Sequence, residues 1–384
     1  MANTLTNLTP DLFEALDIVS RELVGFIPSV YLDASAERAA KDQTVRSFVA
    51  PASTASDITP GLYAPDDGNQ TFASKTITIS KSKYIPIRWN GEEQKAMNTG
   101  PGYGKMRVAQ IAQAMRTMTN LVETDLASLH VKASRAYGTA ATTPFASSLI
   151  DPANVRKILS DNGCPLSDMQ MVIDTSAGAK MRTLAQLTKA NEAGDSGLLR
   201  QGVLLDIHGF AIRESAQVKQ AVTVGTAASA TTDNAGYAVG ATTLTLASAG
   251  TGTIIAGDVL TFAGDDNKYV VTTGDADVSN GGTIVLAAPG LKVAMSAATK
   301  AITVVAAAAR NMAFDRNAIV LVTRAPARPI EGDMADDVMI VQDPRSGLAF
   351  EVAMYKQYRQ MKYELSLAWG YEMIKPEHCG ILLG

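Results

Sequence analysis

Side chains that do chemistry are scarce in this chain. Three histidines (His130, His208, His378) are too few and too scattered for an HExxH helix or a histidine metal cluster, so each is expected to serve only local hydrogen bonding. The two cysteines, Cys164 and Cys379, lie far apart in sequence and exclude a disulfide-stapled scaffold. With no sign of secretion they are read as buried free thiols. Basic residues are not clustered, none of the arginines falls between Arg213 and Arg310, and the net charge is −4. That excludes a free-standing nucleic-acid binder, which needs concentrated Lys and Arg against phosphate. Long apolar runs are missing too. The richest, Ile302 to Ala309, is far too short to cross a bilayer, and Met1 to Thr9 lacks the basic-then-apolar order of a signal peptide. No membrane association is expected.

Near-matches to catalytic motifs fail on inspection. Gly100-Pro-Gly-Tyr-Gly-Lys105 is one residue short of a phosphate loop, and Met106 stands where a Mg²⁺-binding hydroxyl belongs. It is read as a joint before a helix. Ser80 to Lys83 fits SxxK but sits in a predicted turn. Asp265, Asp266 and Asn267, like Asp275 and Asp277, lack the glycine and distal glutamate of a calcium loop and read as turn formers. No cofactor, no metal and no enzymatic activity are expected.

What the chain does have is apolar pattern. Hydrophobic residues make up 46% of 384, enough for a large core and more than one structural unit. Thr9-Pro10 caps a helix whose face is Leu12, Leu16, Val19 and Leu23, ended by Gly25 and Pro28. This helix either packs on its own domain or reaches a neighbour. In Phe72 to Trp89, Ile77 and Ile79 alternate with polar residues, and Ile85, Ile87 and Trp89 mirror them beyond Lys81 and Lys83, which predicts a β-hairpin. An isolated ribbon is marginal in water, so it must lie on something. Val108, Ile111, Ala112, Met115, Met118, Val122, Leu126 and Leu129 predict one helix from Lys105 to Tyr137, on the order of 50 Å long.

Further on, Asp151-Pro152 starts a helix that Gly163 stops, Met169 to Asp174 reads as a strand, and Ala177 to Leu187 as a helix. Lys189 to Gly202 is a polar loop. From about Gln220 to Val305 the chain fills with Thr, Ala, Gly, Val and Asp. Strand-like runs at Thr243–Leu246, Val259–Phe262, Tyr269–Thr272 and Thr283–Leu286 predict a small antiparallel barrel or sandwich. Asn311 to Pro326 reads as one buried strand closed by prolines, followed by strands over Leu348 to Tyr358, Met361 to Trp369 and Gly380 to Leu383.

Several of these runs carry a family likeness. Asn311, Ala313, Phe314, Arg316 and Ala318 precede an apolar strand ending in Thr323, Arg324 and Pro326. Gly347, the two long strands, then Trp369, Gly370, Tyr371, Pro376 and Glu377 follow. Upstream, Gly202, Ile207, Gly209, Phe210, Ile212 and Ser215 form a matching strand pair. In this order they resemble tailed-phage major capsid proteins of the P22 coat-protein-like group. The resemblance implies an α+β fold of the HK97-like capsid type with an inserted all-β domain. Its divisions would be an N-terminal arm (1–65), an extended β-hairpin loop (66–99), a peripheral domain with a spine helix (100–150), axial parts (151–219 and 306–345), the inserted β-domain (220–305) and C-terminal shell strands (346–384).

The same resemblance implies self-assembly as pentamers and hexamers into an icosahedral head made in a bacterial host's cytoplasm. Packaged double-stranded DNA would be enclosed without sequence-specific contacts, and a portal would fill one vertex. No charged coiled coil precedes the arm, so a separate scaffolding protein is expected; a decoration protein is an optional further partner. Inter-subunit contacts would come from Leu12, Leu16, Val19 and Leu23 of the arm and from Ile77, Ile79, Lys81, Lys83, Ile85, Ile87 and Trp89 of the hairpin. Two rivals stand beside this reading: an encapsulin-like nanocompartment shell, and a protein whose β-domain binds surface carbohydrate. The second suffers from a shortage of aromatics in the insert, which holds Tyr237, Phe262 and Tyr269.

Overall fold

Alternating apolar residues, punctuated by glycine, turn most of this chain into strands. The computed structural model describes residues 24–49, 55–63, 69, 73–97, 103–188, 206–218, 222–342 and 347–384. In chain order these carry β1 (Tyr31–Ala39), β2 (Thr44–Val49), β3 (Ala73–Thr78), β4 (Lys81–Asn90), α1 (Gly91–Met97), α2 (Tyr103–Ala127), β5 (Arg135–Tyr137), α3 (Ile150–Asp161), β6 (Met169–Ile173), α4 (Thr175–Thr183) and α5 (Ala185–Thr188). They continue with β7 (Phe210–Glu214), β8 (Thr243–Leu246), β9 (Val259–Phe262), β10 (Asp265–Thr273), β11 (Gly282–Leu286) and β12 (Ile302–Val304). The last are β13 (Arg310–Asp315), β14 (Ile319–Pro326), β15 (Asp337–Gln342), β16 (Ala349–Gln357), β17 (Gln360–Met373) and β18 (Cys379–Leu383).

Two large sheets and the two-stranded β2–β3 ribbon organise these elements. A six-stranded sheet runs β1-β14-β17-β16-β15, with β4 also paired to β17. A ten-stranded sheet runs β12-β9-β10-β5-β18-β13-β6-β7, with β11 joined to β10 and β8 to β11. β17 is the axis of the first sheet: it pairs with β4 from Gln360↔Asn90 to Trp369↔Lys81, and with β16 and β14 in turn. Helix α2 covers this sheet. Its Ile111, Met115, Met118, Val122 and Leu126 share a core with Leu365, Leu367 and Trp369, and the Trp369 indole donates to Asp125 Oδ2 at 2.9 Å.

The helical stripe is buried as its spacing requires, but α2 stops at Ala127 and not at Tyr137. Its 25 residues span about 37 Å. A 3-10 turn over Ser128–Lys132 follows, in which Ser128 Oγ donates to the Asp125 carbonyl at 2.6 Å. Arg135–Tyr137 then leaves the helix because it finds strand partners in both β10 and β18.

The predicted hairpin is corrected more deeply. β3 and β4 do not pair with each other. β3 pairs antiparallel with β2, from Thr44↔Thr78 to Val49↔Ala73, and β4 pairs with β17. The single strand expected over Asn311 to Pro326 is likewise two. Asp315 turns its carboxylate onto Asn317 N–H (3.2 Å), a 3-10 turn over Arg316–Ala318 breaks the run, and β13 and β14 enter different sheets. The family-like motif therefore marks the crossing between the sheets.

Part of the expected arm belongs to its own chain's core. Phe26 and Ile27 are fully buried, and β1 pairs parallel with β14. The helix drawn over Leu12, Leu16, Val19 and Leu23 lies outside the described residues, as does the loop from Lys189 to 205.

Strands β8, β9 and β11 fall where the sequence puts them, and β10 begins four residues early. They close on their own core of Leu244, Leu260, Val271 and Ile284. This unit is not hung on a linker: β10 pairs with β5 through Lys268↔Ala136 and Tyr269↔Arg135, which fuses it to the larger sheet.

Candidate functional site

Among the described residues, the β2–β3 ribbon is anchored at its base. At its base Asp42 N–H donates to Ile79 O and Ile79 N–H to Gln43 O, both at 2.9 Å. Ile77 and Ile79 drop into a cluster with Ala39, Val320, Val322, Ala368 and Ile374. Close approach fixes the crossing point, because a Cβ on Gly370 would lie 2.3 Å from the Thr78 carbonyl oxygen. Beyond the base, Arg46, Ser74, Lys75 and Thr76 are exposed. The connection between the two strands includes residues 55–63, which have no regular structure. Here Ile58, Leu62 and Tyr63 are 97%, 91% and 85% exposed. Burying each of them would contribute about 1.5–3 kcal/mol, and the described residues of their own chain do not supply the cover.

A second apolar projection is the turn between β14 and β15. Ile330 and Met334 stand almost wholly in solvent. The turn carrying them is braced: Asp333 accepts from Ala335 N–H (2.8 Å), Arg328 Nη1 (2.7 Å) and Tyr355 Oη (3.3 Å). The Ala335 N–H, with Arg328 beside it, holds the Asp333 carboxyl below the usual range. Arg328 also forks onto the buried Glu351, with Nε at 3.0 Å and Nη2 at 2.8 Å, and Arg38 meets the same carboxylate. Tyr358 forms a third exposed point at the β16–β17 tip, beside an open cleft of about 730 Å³ lined by Gly91, Glu92, Arg359 and Met361.

Of the residues assigned to contacts from sequence, Leu12, Leu16, Val19 and Leu23 lie outside the described residues, and the others fall between residues 77 and 89. Ile77 and Ile79 are buried at the ribbon base, and Ile87 is the buried residue of β4. Ile85 and Trp89 pack against the core around α2, where the Trp89 indole donates to Gln110 Oε1 at 2.7 Å and meets the Tyr103 ring edge-on at 5.5 Å. Lys83 is exposed and Lys81 half-buried, both on a strand and not at a hairpin tip. The exposed trio Ile58, Leu62 and Tyr63 was missed. Its only signal is three large apolar residues stranded in a segment of Ala, Ser, Thr, Pro and Asp.

Reactive groups do not converge. Burial pushes the Cys164 thiol up to about 11 and raises Cys379 further, so neither offers a thiolate. Burial holds His378 below the ordinary imidazole range, while His208 sits exposed in a turn at φ +53°. Among the described residues, no group of His, Cys, Asp or Glu is placed to hold a metal, and no helix is long and apolar enough to cross a membrane.

No family model matches the chain, and no curated protein matches it. Solved structures similar to it include the capsid of cyanophage P-SCSP1u, at 12% identity over 92% of this chain and 86% of that one, with a TM-score of 0.46. The mature capsid of bacteriophage PhiM1 is similar at 13% identity over 94% and 86%, TM-score 0.46. A virus-like particle from Pyrococcus furiosus is similar at 9% identity over 98% and 99%, TM-score 0.44. These likenesses are too distant to carry an argument about what this chain does.

Proposed function

We propose that this chain is the repeating subunit of a closed shell, a tailed-phage major capsid protein of the P22 coat-protein-like kind. The observation that carries the reading is the ribbon: firmly seated at its base, yet presenting Ile58, Leu62 and Tyr63 uncovered at its far end. Side chains left uncovered by the described residues gain burial by lying on another copy. The sequence motifs from Asn311 to Glu377 support the same conclusion. In this reading the arm and ribbon cross to neighbours, copies gather as pentamers and hexamers, and a scaffolding protein guides closure around a portal vertex before DNA enters. Each contact can be weak, because a closed symmetric assembly multiplies them.

The test is sedimentation velocity with negative-stain imaging on the full chain, alone and co-expressed with its genomic neighbours. Closed shells or polyheads are expected. Ile58→Asp, Leu62→Asp and Tyr63→Ser combined should leave the melting temperature unchanged and abolish particles. A wild-type monomer that stays monomeric in both settings sinks the proposal. Nucleic acid inside particles, and no enzyme cargo, separates a phage head from a nanocompartment.

A further inference from the structure

A cleft of about 290 Å³ opens where the β-rich unit meets the larger sheet, at the small end of the range for ligand sites. One wall is β10 with Asp266 and Lys268; the other is the loop from Gly138 to Asp151, with Tyr137 at its start. The loop is held in a costly shape. Ala141 (φ +64°) and Phe145 (φ +61°) both sit in the left-handed region that favours glycine. Phe145 is locked there by a fully buried ring and by its N–H, which donates to Asp151 Oδ2 at 2.8 Å.

Thr139, Thr142, Thr143, Ser147 and Ser148 all line this cleft, and among the described residues none of their hydroxyls bonds within the chain. Some hydroxyls elsewhere are engaged, as where Thr232 Oγ1 accepts from Lys300 N–H and Thr272 Oγ1 donates to Val285 O. The Lys268 ammonium spends one donor on the Gly138 carbonyl, leaving two. Asp266 is exposed and unpaired among the described residues.

We propose that this cleft binds a neutral saccharide unit. The lining holds one ammonium, Lys268, against two carboxylates, Asp151 and Asp266, a balance that repels an anion. Idle hydroxyls that both donate and accept, flanked by carboxylates and an ammonium, match a ring of sugar hydroxyls. The half-buried Tyr137 ring offers an apolar face for its C–H side. The aromatics of the β-rich unit itself cannot serve, because Phe262 and Tyr269 are buried. This inference does not rest on the shell reading.

Saturation-transfer NMR on the full chain tests it, using glucose, galactose, mannose and N-acetylglucosamine as free sugars, with inorganic phosphate as competitor. The method reads a subunit and a particle alike, so its outcome is independent of assembly. Transfer to the ring protons of at least one sugar is expected. It should weaken about tenfold in Asp266→Ala, the loss of one hydrogen bond to a charged group, and also fall in Thr142→Val, with melting unchanged in both. No transfer to any of the four sugars overturns the proposal. So does transfer that survives both substitutions, or displacement of the sugar by phosphate.

Discussion

Glu123 holds the segment Gly25–Ile27 to the long helix. Its carboxylate accepts N–H bonds from Gly25 (3.3 Å), Phe26 (3.1 Å) and Ile27 (2.8 Å), and the Ser215 hydroxyl donates to it at 2.8 Å. Burial raises its pKa above the ordinary 4.5, and the four hydrogen bonds only partly oppose that. A carboxyl raised in the folded state contributes stability that is complete below the unfolded pKa and is lost as pH rises through the folded one. The wild type should therefore lose stability relative to Glu123→Gln as pH climbs above about 4.5. Thermal unfolding of both proteins at steps from pH 4 to 7 reads this; a wild-type advantage that grows with pH would mean the hydrogen bonds outweigh burial. Glu123→Ala should cost on the order of 3 kcal/mol near pH 4, where three backbone donors are stranded, and less as pH rises. None of this was legible in the sequence. A glutamate beside the apolar stripe of a helix reads as solvent-facing, and its backbone partners lie nearly a hundred residues away.

At the scale of elements, the sequence located strands far better than it paired them. The alternation of Ile77 and Ile79, and of Ile85, Ile87 and Trp89, correctly marks two strands, but alternation says only which face is apolar. It cannot choose between a neighbour four residues away and β17, which begins at Gln360. Side chains decided it: β4 needs the long apolar edge of β17, while β3 needs the Val320–Ala368 cluster. The same limit hid the break at Arg316–Ala318, where the polar triplet Asp315-Arg316-Asn317, with Asp315 as side-chain cap, interrupts the apolar run. Gly370 tests the seating of the ribbon directly. Gly370→Ala places a methyl against the Thr78 carbonyl, at 2.3 Å if nothing moves. Such overpacking should cost about 1–3 kcal/mol in denaturant unfolding. Limited proteolysis should then cut faster near residues 73–80 than elsewhere; uniform cleavage would place the damage in the sheet and not at the ribbon base.

Across the whole molecule, the change of composition near residues 220–305 suggests a separable module, and the strand positions agree with that. The contacts do not. β10 is hydrogen-bonded into the larger sheet through β5. A charge is also buried between the two: Arg310, at the start of β13, is 3% exposed, and no guanidinium nitrogen has a hydrogen-bond partner among the described residues. Burial lowers its pKa, and the fully buried Asp258, in the turn before β9, supplies the opposing charge. Asp258 also accepts from the Gly225 and Ile255 N–H groups, so Asp258→Ala strands those donors as well as the buried Arg310 charge and should cost about 3–5 kcal/mol. Replacing the guanidinium with an apolar chain of similar length, Arg310→Met, together with Asp258→Asn, should recover most of that loss. If residues 222–305 and the remaining sheet are one cooperative unit, calorimetry of the wild type gives a single transition, and Asp258→Ala moves it whole. A split into two transitions, with only the smaller displaced, would mean that the strand pairing at Lys268 and Tyr269 does not couple them. That coupling matters for any shell built from this chain, because a β-rich unit continuous with the main sheet transmits a load placed on it, whereas one hung on a linker would not.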